Sequence, residues 1–112
     1  MQKKEVLRGQ KLFSALYNRG KSMGGKYVVI LYRKNGLPFT RYGYIASKKV
    51  GNSGKRSRAT RLMKEAYRHS KHKIPPGYDV IFIARENIAG REVRMNNVRI
   101  SLETSIISIA FS

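Results

Sequence analysis

A chain of 112 residues has room for one domain built on one core. Its 24 lysines and arginines stand against 6 acids, a formal net charge of +18. Such an excess repels itself and calls for a polyanionic partner, with nucleic acid ahead of an anionic membrane surface. The absence of cysteine excludes disulfides and thiolate metal sites, and no apolar run is long enough to span a bilayer. With no signal-like apolar segment after Met1–Glu5, the cytoplasm is the expected location.

Residues 1–8 read as a basic, loosely held lead-in, with 1–6 expected to be flexible. Leu12, Phe13, Leu16 and Tyr17 then recur at helical spacing, and Gly20 is placed to end the helix. On spacing alone, two aromatics four apart favour the core over a surface that stacks on bases. A short strand is expected at Lys21–Met23 within a turn-rich connection. Tyr27–Tyr32 is β-branched and aromatic throughout, the mark of a strand with both faces covered. Asn35-Gly36-Leu37-Pro38 is a turn signal, so a hairpin is expected, with Arg41–Ser47 returning beside that strand. In the return strand Tyr42, Tyr44 and Ala46 share one face, and Gly43, Ile45 and Ser47 the other.

Gly51–Gly54 breaks the strand, and either Asn52 or Ser53 can cap the helix that follows. In that helix Ala59, Leu62, Met63, Ala66 and Tyr67 fall on one side. Arg58, Arg61, Lys64 and Arg68 follow the same period on the other, with Glu65 the single acid among them. A merely solvated face mixes signs, because opposite charges four apart stabilise a helix. Like charges stacked on one side destabilise it unless a polyanion neutralises them, and the arginine fork suits phosphate. The helix is therefore expected to lie along a phosphate backbone. Ile74-Pro75-Pro76-Gly77 ends it, and Tyr78–Ala84 is a second apolar strand whose continuous hydrophobicity predicts a central place in the sheet. Near the C-terminus Val98, Leu102, Ile106 and Ile109 suit a helix face, with Ser101, Ser105 and Ser108 opposite. The β-branched content argues against a helix there, but the period decides for one.

No catalytic constellation is visible. The six acids are scattered singly, and His69 and His72 lack a third metal ligand nearby. Gly51–Ser57 fails as a phosphate-binding P-loop, which needs an earlier glycine where Lys49 stands and a hydroxyl where Arg56 stands. Neither a protein-based active site nor a protein-held metal is expected. Three functions fit the charge: a subunit of an RNA-based enzyme, a purely structural RNA binder of the ribosomal-protein kind, and a DNA-binding protein. The last is disfavoured because the charge runs along the helix and is not gathered at one end with base-reading amides.

The run Ser47-Lys48-Lys49-Val50-Gly51-Asn52, then Arg56-Ser57-Arg58, then Arg61-Leu62-Met63-Lys64-Glu65-Ala66-Tyr67-Arg68 resembles the bacterial ribonuclease P protein component. The opening Leu7-Arg8, Phe13, Tyr17 and Gly20-Lys21-Ser22, and the later Gly77–Arg85 run, are similar to that family's motifs in the same order. The resemblance implies one α+β domain over 1–112, a small mixed sheet packed with helices. It implies a fold like ribosomal protein S5 domain 2, with a left-handed βαβ crossover against the general rule. It implies a subunit of an endoribonuclease in which a catalytic RNA, using Mg²⁺, removes the 5′ leader of precursor tRNA. The protein would bind that RNA and the leader, raise substrate affinity and lower the metal requirement, with no membrane involved.

By the same resemblance Lys48, Lys49, Asn52, Lys55, Arg56, Arg58, Arg61, Lys64 and Arg68 are placed on the catalytic RNA. Phe13, Tyr17 and Ser47 are placed in the leader cleft, which reverses the preference that spacing gave the two aromatics. Ser57 stands where the family has asparagine, Thr60 where lysine is common, and Ile45 where a small polar residue lines the groove, a change expected to narrow or dry it. The pattern leaves open whether Leu31 or Tyr32 faces the cleft.

Overall fold

A computed structural model describes residues 10–109, with side chains from Phe13 onward; the lead-in expected at 1–8 lies outside the described residues. Helix α1 spans Gln10–Arg19 and strand β1 Lys21–Gly24. Gly20 stops the helix with its amide donating to Leu16 O at 2.8 Å. A Cβ there would lie 2.6 Å from the Leu16 oxygen and 3.0 Å from the Tyr32 oxygen, so the close approach of helix end and sheet needs glycine. Strands β2 (Val28–Lys34), β3 (Arg41–Ile45) and β4 (Tyr78–Ala84) complete a sheet of order β1-β2-β4-β3.

The expected hairpin does not form. β4 lies between β2 and β3, antiparallel to the first and parallel to the second. The turn is real: Gly36 has φ of 72° and Asn35 Oδ1 accepts from the Leu37 amide at 2.8 Å. It docks on the start of β4, however, with the Asn35 amide donating to Gly77 O at 2.9 Å. The Asn35 side chain also donates to Asp79 Oδ1 at 3.0 Å. Arg41 grips the same carboxylate through Nε and Nη2 at 2.8 and 2.7 Å. The most apolar strand takes the centre, as its hydrophobicity predicted, and the bridge at Asp79 fixes β3 on its far side.

Between β3 and β4 the chain crosses over through helix α2 (Ser53–Ser70), preceded by a 3₁₀ turn at Lys48–Val50 and followed by another at Lys71–Lys73. Asn52 is the cap, its Oδ1 accepting from the Lys55 amide at 3.0 Å. Helix α3 spans Met95–Ser108. α2 and α3 close one face of the sheet: Leu62, Met63, Tyr67, Val98, Leu102 and Ile106 bury against Val28, Ile30, Tyr42, Val80 and Phe82. Ring centroids of Tyr67 and Phe82 lie 5.0 Å apart, and those of Tyr42 and Tyr67 4.8 Å. Ser105 is buried on this side and not opposite it, because it sits three residues after Leu102 and four before Ile109.

The other face carries α1 alone. Leu16, Leu31 and Ile81 are buried there, while Phe13, Val29, Ile45 and Ile83 around them are only partly covered. The apolar run of β2 predicted cover on both faces. One ten-residue helix is too short to provide it across four strands.

Candidate nucleic-acid interface

The partly covered strip is the first element of the site. Val29 on β2 and Ile83 on β4 are cross-strand partners, and Ile83 is in turn the partner of Ile45 on β3, so the three form a row across the sheet. Leu31 lies on this face two residues along from Val29; Tyr32 packs toward the other side, against the α2–α3 core. Phe13 leans on the strip from α1, and Tyr17 stands one turn further on, 68% exposed, with its ring centroid 6.1 Å from that of Phe13. Tyr17 is therefore not a core residue, against what spacing alone favoured, whereas Phe13 is half core and half wall. Ile45 makes its part of the floor apolar.

At the end of the strip, where β3 and β4 finish, a cavity of about 760 Å³ is lined by Ser47, Lys49, Ile83 and Arg85 among others. Arg85 lies over β1, its Nε donating to Gly25 O at 2.6 Å. Lys26 joins it, its Nζ 5.4 Å from the Tyr27 ring centroid. Val29, Ile83, Lys26 and Arg85 were not singled out from the sequence as site residues. The alternation of β2 and β4 carried a signal for the first two, once it was known which face stays open.

The second element is α2, and its cations do not form one stripe. Arg61, Lys64 and Arg68 are exposed on the outer side. Arg68 is held by Glu65 at 2.7 Å, and Glu65 also stands 3.9 Å from His69 Nε2. Such an exposed pair contributes little to stability and leaves the arginine available. Arg58 is different: it is partly buried and donates through Nη2 to Val93 O at 2.8 Å, tying α2 to the segment before α3. The expectation of an exposed Arg58 is corrected accordingly, since residue 58 falls at the edge of the buried face. Arg56 lies on the opposite edge, in a groove of about 560 Å³ beside Ala46 that Thr60, Arg61 and Lys64 also line. Its Nε is buried without a hydrogen-bond partner among the described residues. Lys48, Lys49 and Lys55 are exposed around the N-terminus of the helix, while Asn52 spends its oxygen on the cap and keeps its NH₂ for other contacts. The Tyr44 hydroxyl, beneath α2, is buried without a hydrogen-bond partner among the described residues, and burial, with Tyr42 and Tyr67 adding to it, pushes its pKa far up, so it stays neutral.

The nine basic-helix and loop residues and the three cleft residues thus fall on two surfaces, one formed by α2 with its leading loop and one by α1 with the open side of the sheet. Ser47 and Lys49 sit where the two approach each other.

The model of the ribonuclease P family matches residues 1–107. The chain belongs to that family. Among its relatives, the ribonuclease P protein component of Alkaliphilus metalliredigens is 45% identical over 87 residues, 78% of each chain. That of Thermotoga maritima is 34% identical over 87 residues, 78% of this chain and 74% of the relative. The solved T. maritima ribonuclease P protein superposes with a TM-score of 0.84 at 31% identity, covering 96% of this chain and 99% of that one. The Staphylococcus aureus protein gives 0.81 at 25% identity over 96% and 98%. Family membership makes this α+β domain a protein component of ribonuclease P, a ribonucleoprotein of tRNA processing. Among the described residues no helix is long and apolar enough to cross a membrane.

Proposed function

We propose that the chain binds the catalytic RNA of ribonuclease P through α2 and its leading loop, and the 5′ leader of precursor tRNA along the open face of the sheet. The observation that carries this reading is the exposed Tyr17 ring against Phe13, which itself leans on the half-covered Val29–Ile83–Ile45 row. A single strand needs flat rings for its bases and cations for its phosphates. Phe13 and Tyr17 offer the rings, and Lys49, Lys26 and Arg85 offer the cations where the strip ends. Duplex-like RNA needs only a row of cations along its backbone, which Arg61, Lys64 and Arg68 offer on the other surface.

The division of labour leaves the chemistry to the RNA. Mg²⁺ would supply the activation of water and the stabilisation of the leaving oxygen. Among the described residues no three histidine or acidic side chains converge, so these residues do not fit the ion. It is assigned to the catalytic RNA and the substrate, and no step is routed through the protein. What the chain contributes is position: it holds the leader in an extended path, and it neutralises phosphate repulsion with an excess of +18. That neutralisation is the physical reason for a lower metal requirement, since both lower the same repulsion. Action in the cytoplasm follows from the same reading.

Reconstitution tests it. Protein freed of RNA should leave precursor tRNA intact. Added to the catalytic RNA, it should raise cleavage most at low Mg²⁺. Cleavage by RNA-free protein, or no effect on the RNA's rate at low Mg²⁺, would overturn the reading. The second outcome would favour a purely structural RNA binder.

A further inference from the structure

A third basic site lies at the opposite end of the sheet from the Ser47–Lys49 cavity. At the end of the sheet where β2 finishes and β4 begins, a cavity of about 240 Å³ is lined by Arg19, Lys21, Arg33 and Lys34, with Tyr32 and Tyr78 as its walls. No acid lines it, whereas the groove along α2 includes Glu65 and the cavity at the end of the open strip includes Glu86. None of the four cations has an ion-pair or hydrogen-bond partner among the described residues.

A structural reason accounts for part of this set. Arg19 and Lys21 flank the C-terminal end of α1, where the helix dipole favours positive charge. It does not account for Arg33 and Lys34. They end β2 on opposite sides of the strand, yet both line the same cavity. Gly20 brings the α1 end to within contact of the Tyr32 carbonyl, which draws the two pairs together. Four like charges converge with no acid in the lining, and Asp79, the cross-strand partner of Arg33, is engaged by Arg41 and Asn35. Their repulsion raises the free energy of the isolated protein, and an anion would relieve it.

Topology suggests which anion. α2 crosses back between the parallel strands β3 and β4, so its C-terminal end comes to the end of the sheet where those strands start. The Tyr42–Tyr67 ring contact and the bond from Thr40 Oγ1 to Pro75 O at 2.9 Å fix that arrangement. The cationic row on α2 therefore ends, through Arg68 and the exposed Lys71 and Lys73, at the end of the sheet that holds this cavity.

We propose that the Arg19–Lys21–Arg33–Lys34 cavity binds a phosphodiester group of the same RNA that α2 contacts, continuing its cationic row around the end of the sheet. This rests on the assignment of α2 to structured RNA. The cavity takes a phosphate with adjoining sugar and is too small for a duplex, so it grips one backbone position while α2 follows the rest.

The test combines two measurements on the full chain. In the first, the salt dependence of binding to the catalytic RNA is compared for the unaltered protein, a cavity variant (Lys21→Ala, Arg33→Ala, Lys34→Ala) and an α2 variant (Arg61→Ala, Lys64→Ala). All five residues are exposed, so melts should stay unchanged. The cavity variant should show a log–log slope shallower by about 0.7–0.9, the share of the one phosphate contact it loses. A slope equal to that of the unaltered protein, while the α2 variant loses steepness, would overturn the cavity and leave the α2 assignment standing. Loss of steepness in neither variant would overturn both. In the second, inorganic phosphate is titrated against the protein alone and amide shifts are followed by NMR. A saturable shift at Gly20, abolished in the cavity variant, is expected whatever RNA the protein serves. A Gly20 amide that does not respond would overturn the proposal independently of the RNA reading.

Discussion

The two faces of the sheet are built from equally apolar strands and end in opposite states. On the α2–α3 side, Ile30, Val80 and Phe82 are fully buried. On the α1 side the alternate residues of the same strands, Val29 and Ile83, remain partly open. The strands do not make this difference; the length of what covers them does. Two helices of 18 and 14 residues close one face, and a helix of 10 leaves much of the other. Partial cover of an apolar row sacrifices some burial free energy and leaves a surface on which flat, half-apolar ligands can lie. The closed face should therefore answer to mutation in stability, and the open face in binding.

The largest effect is expected where the closed face is tightest. Phe82 is fully buried against the Tyr44 and Tyr67 rings, so Phe82→Ala should cost about 3–5 kcal/mol of folding stability in a denaturant titration. All binding would then fall with the folded fraction. A loss confined to leader binding would mean that the faces are not divided as described.

A smaller contrast sharpens the picture within α2. Arg58 holds the Val93 carbonyl, and its removal leaves a buried acceptor unmet. Arg58→Ala should cost about 1–2 kcal/mol of stability, whereas Arg61→Ala at an exposed site should stay within about 0.5 kcal/mol. Equal melts would place Arg58 back among the solvent-facing cations.

The smallest effect concerns pH. Glu103 is partly desolvated, which pushes its pKa up. Hydrogen bonds from Ser70 and Arg99, with the charges of Arg99 and Lys73, outweigh this and hold it below the usual carboxylate range. A carboxyl whose folded pKa is depressed stabilises the fold above its unfolded value and loses that contribution as pH falls through the folded one. The melting difference between the unaltered protein and Glu103→Gln should be present at pH 7 and should shrink on acidification to about pH 3. A difference independent of pH would assign it to packing between α2 and α3.

Much of this was legible in the residues. Periodicity placed α1, α2 and α3, and the apolar run Val80–Ala84 announced the central strand. What escaped was non-local. The turn at Asn35–Pro38 looks the same whether the chain returns beside β2 or passes over β4, and only the Arg41–Asp79–Asn35 network distinguishes the two. Ser105 and Arg58 sit at the margins of helix faces, where a shift of one neighbour decides burial. For the site, residue types and spacing found the cations of α2 but not their division into three settings. The open strip was hidden because an apolar strand reads alike under full and partial cover. Spacing alone placed Tyr17 in the core for the same reason, since periodicity reports the side of a helix and not what lies across from it.

The central claim is that the open face holds the leader, and Tyr17 tests it most directly. Tyr17→Ala removes a ring that is 68% exposed, so the melt should hardly move. Stacking on an aromatic is worth roughly 1–3 kcal/mol per base. The holoenzyme carrying the variant should therefore bind precursor tRNA about 5- to 150-fold more weakly, while its affinity for mature tRNA, which has no leader, stays unchanged. Equal affinity of variant and unaltered holoenzymes for precursor tRNA, or equal weakening for both tRNAs, would contradict the account.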